Sequence, residues 1–285
     1  MKALFIVNRR SGVRRGDVTA IIRQNCRDEF EVVECPPKEN LDPIIERGRR
    51  EHFDAIYAVG GDGTVHEVAK RLIGTPLALG IVPTGSGNGL ARHLGFPMDA
   101  LEAICAPHRI EIIDTATVNG IPFVGTMGVG FDAWVADAFA SAGARGLATY
   151  LRVGIGGFFR YQSQPYQIEV DGERLERRAL LIAVANASQY GNDARIAPVA
   201  SLQDGLLDVV IVERASLTGA VRLFTGSLHR ASGITMRRGR RIEIRRPAPG
   251  PAHLDGEPIA LPETLTIEIV PRSLRVLVPE SARAI

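Results

Sequence analysis

Two glycine-rich turns carry the residues best suited to chemistry: Gly60-Gly61-Asp62-Gly63-Thr64 and Gly85-Ser86-Gly87-Asn88-Gly89. Each follows an apolar, strand-like run and opens a helix-like one. Glycine permits positive φ and lets the backbone come close to a ligand. The first N–H groups of each following helix have no intrahelical acceptor, so they are available to an anion. Two such turns on neighbouring strands suit a polyphosphate. Asp62 sits in the middle of the first turn, and a carboxylate beside phosphates repels them unless a divalent cation lies between. The residue types therefore point to a Mg-nucleotide site.

Taken alone, the turns do not say which nucleotide chemistry follows. The second turn can be read as a dinucleotide fingerprint, yet it lies on a late strand, and no acidic residue ends a strand ~20 positions on to hold a ribose. The Walker pattern GxxxxGK[ST] is absent. A kinase and a dehydrogenase both stay open on this footing, and so does a plain tight turn capped by Asp62.

The elements that must position these turns follow from the apolar pattern. Ala3–Val7 is a continuous apolar run of the kind buried in a parallel sheet. Val18, Ile21, Ile22 and Cys26 have helical spacing, and Glu29–Glu34 is strand-like. Asp42-Pro43 offers a cap and a first-turn proline for a helix carrying Ile44 and Ile45. Ala55–Val59 and Leu77–Val82 are strands entering the two turns, and Val65, Val68, Ala69 and Leu72 mark one face of the helix between them, ended by Gly74. This alternation predicts an α/β domain over 1–112 with an open, mostly parallel sheet, whose ligands bind at the carboxyl ends of the strands. Beyond it the pattern changes. Asn119-Gly120 and Asp171-Gly172 signal hairpins, the second between Tyr166–Val170 and Leu180–Ala185. Leu206–Val212, Arg240–Arg246, His253–Leu261 and Thr264–Val270 add strands. The expectation is a β-rich, sandwich-like or barrel domain over 113–270. Leu274–Val278 is a last strand that could belong to either domain.

Composition removes several classes. A net charge of +2 gives no electrostatic footprint for nucleic acid, so no nucleic-acid partner is expected. Cys26, Cys35 and Cys105 lack the spacing of a disulfide framework or a zinc knuckle, which suggests a reducing, cytoplasmic setting. The N-terminal apolar run is too short for a signal peptide, and no run reaches ~18 apolar residues, so no transmembrane segment is expected.

Several segments resemble a known family. GGDGTVHEV (60–68) and PTGSGNGLARHLGFP (83–97) are similar to the two signatures of the diacylglycerol kinase-like lipid kinases, a group that includes bacterial lipid kinases and the sphingosine and ceramide kinases. NRRSG (8–12) resembles the family's NPxSG turn, and GVGFDAWV (128–135) its substrate-side segment. NASQYGNDARIAPVASLQDGLLDVVIV (186–212) matches a further family stretch, with Gln203 in place of the first Asp of a DDG. LDGEP (254–258) matches the segment that carries the family's proposed catalytic glutamate.

The resemblance implies a nucleotide-binding N-terminal domain, a lipid-binding C-terminal domain with the active site in the cleft between them, and a chain end, 271–285, that packs back on the first domain. It implies ATP and Mg²⁺ as cofactors. Asn8, Ser11, Gly12, Gly60, Gly61, Asp62, Gly63, Thr64, Gly85, Ser86, Gly87 and Asn88 would surround the nucleotide, with Asp62 acting through Mg²⁺. Cys35 would lie near the same nucleotide, with Arg14 and Arg15 beside the first turn and His66 where the family often has asparagine. Glu257 would be the general base that takes the proton from a lipid hydroxyl. Ser201, Asp204 and Leu206 match a second, structural Mg²⁺ site of some bacterial members.

The substrate is implied less directly. Diacylglycerol-kinase-type members have an Asp where Gly89 stands here, and SGNGLA is closer to the SGNALA of sphingosine and ceramide kinases. This favours a sphingoid or ceramide acceptor over diacylglycerol, met transiently at the inner membrane face. The aromatic-rich segment 131–160 would form an acyl-chain wall or membrane-touching lid, or else an ordinary core helix pair. A homodimer is left open. A soluble-substrate kinase such as NAD kinase, which shares GGDG, and a non-catalytic nucleotide or lipid sensor are the competing classes.

Overall fold

The computed structural model describes residues 1–8, 18–35, 40–135, 161–214 and 216–282. The chain divides into two compact units, Met1–Asp114 with Pro271–Ile285, and Thr115–Val270.

The first unit alternates strand and helix: β1 (Lys2–Val7), α1 (Val18–Asn25), β2 (Glu29–Glu34), α2 (Asp42–Arg50), β3 (Ala55–Gly60), α3 (Asp62–Leu72), β4 (Ala78–Pro83), α4 (Gly89–His93) and α5 (Ala100–Cys105). Every residue of β3 and β4 is buried, as expected of strands covered on both faces. They pair in parallel in the order β2-β1-β3-β4. Phe5, Ile22, Tyr57 and Leu277 lie in one of its buried clusters, where Phe5 stacks on Tyr57. Asp42 is the first residue of α2, not its cap, a position that Leu41 takes. Helix α5 is not foreseen by apolar spacing. It forms because Asp99 accepts from the N–H groups of Leu101 and Glu102 and so satisfies its first turn.

Chain order reverses about β1, since β2 lies on one side of it and β3 on the other. That reversal makes a crevice at the carboxyl ends of β1 and β3, the usual ligand position in an open α/β sheet. The first glycine turn follows β3 and the second follows β4.

The second unit is antiparallel. Its strands are β6 (Ile121–Phe123), β7 (Thr126–Gly130), β8 (Gln164–Val170), β9 (Glu173–Ala179), β10 (Leu181–Ala185), β11 (Leu207–Val212), β12 (Ile234–Gly239), β13 (Arg241–Arg245), β14 (Gly250–Leu254) and β15 (Glu257–Leu261), with helix α6 (Leu217–Phe224) between β11 and β12. One sheet has the order β12-β11-β10-β7-β14-β15, and the other contains β13-β8-β9. Side chains from both sheets, among them Phe123, Met127, Ile168, Ile182, Val209, Ile244 and Ile267, share one buried core. This is a sandwich.

Two strands belong to both units. β5 (His108–Val118) crosses the first boundary and β16 (Thr264–Pro279) the second. The two segments expected as separate strands, Thr264–Val270 and Leu274–Val278, are thus one: its start pairs antiparallel with β13 and its end parallel with β4. Asp171-Gly172 joins β8 to the charged strand β9, not to Leu180–Ala185, which lies in the other sheet. No helix among the described residues is long and apolar enough to cross a membrane.

Candidate active site

The two glycine turns meet. A Cβ built on Gly85 would stand 2.6 Å from the Gly61 Cα, so the backbones touch where only glycine fits. A Cβ on Gly60 would meet the Thr64 Oγ1 at 2.3 Å. Thr84 N–H donates to the Gly60 carbonyl at 2.9 Å, which ties the exit of β4 to that of β3. Asn8, at the end of β1, donates from its backbone to Val59 O at 3.1 Å and from Nδ2 to Thr64 Oγ1 at 3.0 Å. Cys35, buried at the end of β2, donates its N–H to Val7 O at 2.9 Å.

Asp62 is the clamp between the turns. Its Oδ2 accepts from Asn88 N–H at 2.8 Å and its Oδ1 from Gly89 N–H at 2.7 Å. The carboxylate of the first turn therefore caps the short helix α4 that follows the second. Asn88 sits in the left-handed region at φ 56°, closed by its own Nδ2 donating to Gly85 O at 2.8 Å. Bonds of this charge-assisted kind are worth about 1.5–3 kcal/mol each. Gly61, the N-cap of α3, has no side chain to cap that helix. Ser86 is exposed on the second turn and His66 is buried on α3. Asn8, Gly60 to Thr64 and Gly85 to Asn88 are thus brought together. Ser11, Gly12, Arg14 and Arg15 lie outside the described residues.

In the second unit Glu257 is the first residue of β15, exposed, and opposite Leu254 in the β14–β15 hairpin. The turn before it, Asp255-Gly256, has φ of 51° and 88°, the two positive values of a tight hairpin turn. Asp255 holds that turn to a second segment: it accepts from Val124 N–H at 3.0 Å, Gly125 N–H at 2.7 Å and Thr126 N–H at 2.9 Å. Residue spacing does not reveal that role, although Asp255 lies inside the LDGEP segment.

A buried cluster also goes unforeseen. Asp132 Oδ2 accepts from Tyr190 Oη at 2.9 Å and lies 3.1 Å from His253 Nε2. Side-chain exposure is 8% for Asp132 and 5% for His253. Gly128 is fixed by them, since a Cβ there would stand 2.1 Å from Asp132 Oδ2 and 2.4 Å from His253 Nε2. The segments 128–135, 186–212 and 254–258 that carry the family resemblance therefore converge through one cluster, His253 being the residue before the last of them. Beside it Phe131, Trp134 and Tyr161 pack with ring centroids 5.7–6.4 Å apart, and Trp134 remains partly exposed. The rest of the aromatic-rich segment, 136–160, lies outside the described residues.

Ser201, Asp204 and Leu206 form a closed turn. Asp204 Oδ1 accepts from Leu206 N–H at 3.1 Å, and its Oδ2 accepts from Arg238 Nη2. Asp208, almost fully buried, lies 3.3 Å from Arg238 Nε. Burial pushes the Asp208 carboxyl up to about 6, against the opposing pull of Arg238. No group of three or more His, Cys, Asp or Glu side chains among the described residues could hold a metal. The turn's acid faces a guanidinium where the resemblance implies a second Mg²⁺.

Comparison with known proteins follows the same division. The family model of the diacylglycerol kinase catalytic domain matches residues 2–118, and that of the YegS C-terminal NAD kinase beta sandwich-like domain matches 125–278. A Klebsiella pneumoniae protein named "Probable lipid kinase YegS-like" is 31% identical over 246 residues, covering 83% of this chain and 82% of its own. A Mycobacterium tuberculosis protein named diacylglycerol kinase is 31% identical over 240 residues, covering 79% of this chain and 77% of its own. A crystal structure of a Bacillus anthracis diacylglycerol kinase superposes with a TM-score of 0.73 at 21% identity, covering 99% of this chain and 98% of the other. An Archaeoglobus fulgidus NAD kinase solved with ATP shares the fold at a TM-score of 0.54 and 16% identity, covering 98% and 94%. The chain belongs to the diacylglycerol kinase-like lipid kinase family.

Proposed function

We propose that the protein transfers the γ-phosphoryl group of ATP to a lipid hydroxyl, of sphingoid, ceramide or diacylglycerol type. The observation that carries the reading is the pair of glycine turns clamped by Asp62 at the carboxyl ends of β3 and β4, in a chain of lipid kinase family. Phosphoryl transfer passes through a loose transition state, so positioning and charge neutralisation supply most of the catalysis. Asp62 takes the N–H groups of Asn88 and Gly89 and, with Asn8, fixes the shape of the turns, so the phosphates are held by the other N–H groups of the two turns without reorganising. Asp62 is the residue that would hold Mg²⁺, which neutralises charge on the phosphates when bound. Glu257 takes the proton from the acceptor hydroxyl, and Asp255 sets its turn through three backbone N–H groups. The Phe131, Trp134 and Tyr161 rings are suited to line an acyl chain. Lipid would be met at a membrane surface, by a protein working in the cytoplasm.

Labelled ATP offered with diacylglycerol, phosphatidylglycerol, sphingosine, ceramide and NAD in turn tests this. Label is expected in one of the lipids. Label in NAD alone would replace the lipid reading with an NAD kinase, and no transfer to any acceptor would favour a sensor.

A further inference from the structure

The family resemblance places a structural divalent cation at the 201–207 turn, between β10 and β11. In this chain that turn is built around a guanidinium. The antiparallel register of β11 and β12 sets Asp208 directly opposite Arg238. From there Arg238 reaches both acids: Nε lies 3.3 Å from Asp208 Oδ1, and Nη2 donates to Asp204 Oδ2. The other Asp204 oxygen accepts Leu206 N–H at 3.1 Å, and Ser201 Oγ accepts Gln203 N–H at 3.3 Å. Gly205, at φ 70°, lets the chain double back between them.

Two carboxylates brought together repel unless a cation lies between them. Arginine suits that place, since its planar fork stays charged and can donate to two acceptors at fixed angles. Gln203 removes the further acid that family members carry, which lowers the negative charge to be balanced. A divalent ion drawn to the same oxygens would meet the positive charge of Arg238 and would have to displace it. We propose that Arg238 is the resident cation of this turn, replacing the structural metal, so that the second unit folds and holds the 201–207 turn without a divalent ion. The proposal concerns folding and does not depend on which acceptor the enzyme phosphorylates.

The test uses the full chain without nucleotide. Thermal unfolding of the wild type is expected to move by less than about 2 °C between EDTA and millimolar Mg²⁺, whereas Arg238→Met in EDTA falls by about 4 °C or more. Calorimetric titration of Mg²⁺ into the wild type and into Asp204→Asn covers the case in which Arg238→Met does not fold. The two proteins are expected to take up the same amount, which also sets aside any Mg²⁺ bound at Asp62. Uptake by the wild type that is lost in Asp204→Asn would overturn the proposal, and so would an Arg238→Met midpoint equal to that of the wild type.

Discussion

At the scale of single residues, Asp62 has one duty that the structure shows and one that we propose. Its oxygens cap α4 through Asn88 and Gly89, and the proposed function has the same carboxylate hold Mg²⁺. Asp62→Ala removes both duties. It is expected to weaken nucleotide binding and to lower turnover by roughly 100-fold or more, the scale seen when a preorganised electrostatic group is lost. Glu257 lies in an exposed hairpin of the second unit and is proposed as the base, not as a nucleotide contact, so its loss should separate binding from chemistry. Glu257→Gln is expected to cut kcat by about 100- to 10,000-fold while ATP affinity stays at the wild-type value. Equilibrium binding of ATP beside steady-state rates checks both, and a Glu257→Gln enzyme with wild-type kcat would remove that residue from the base role. The glycine turns with Asp62, and the LDGEP segment with Glu257, are visible as residues and motifs. The bond from Asp62 to the second turn is not, because nothing in the composition of either turn says that they touch.

At the scale of elements, the site depends on how closely β3 and β4 deliver their turns. The contact between Gly61 and Gly85 is backbone against backbone, so no side chain can swing aside to relieve it. Gly85→Ala should force the turns apart, cost about 1–3 kcal/mol in urea unfolding, and lower nucleotide affinity with it. Gly74→Ala is a useful comparison: its φ is 72° with open space around it, so it carries backbone strain without touching the site. Parallel strands are legible because burial on both faces demands an unbroken apolar run. Strand β9 is not, since Glu173, Arg174, Glu176, Arg177 and Arg178 give it the look of a solvated loop. It ends the order of its sheet, where charged side chains discourage further pairing. Strand β12 is hidden in a similar way by Arg237 and Arg238. Helix α4, from Gly89 to His93, lies in the helix-like run that the second turn opens, and Asp62 caps it.

At the scale of the molecule, stability should respond to pH through buried histidines. His93, on α4, is held down to about 4 by burial alone, and burial lowers His108 as well. A histidine whose folded pKa is depressed is protonated first in the unfolded chain. Its contribution is therefore complete above about 6.5 and lost as pH falls towards about 4. Asp208 works in the opposite sense. Its folded pKa is raised to about 6, so the folded state holds the proton and its effect on stability worsens as pH rises from about 4 to about 6. The overall curve mixes the two, and a difference measurement separates them. Relative to His93→Gln, the wild type is expected to lose up to about 3 kcal/mol of unfolding free energy between pH 6.5 and 4, read by urea titration at each pH. Parallel curves for the two proteins would show that His93 is not held neutral.

What the amino-acid sequence by itself determines is local. The apolar runs, the glycine turns and the Asn-Gly and Asp-Gly hairpins follow from φ preferences and burial periodicity over a few residues, and the matched segments were enough to indicate the family. The tertiary structure alone decided which of these parts act on one another. Asp62 and Asn88 are 26 residues apart, Asp204 and Arg238 are 34 apart, and Asp132 and His253 are 121 apart. Each pair is set by strand order or register, and register is fixed by the burial of whole sheet faces, not by the two residues that end up in contact. For that reason Arg238 reads in the chain as one of many arginines, and only its place opposite Asp208 gives it a task.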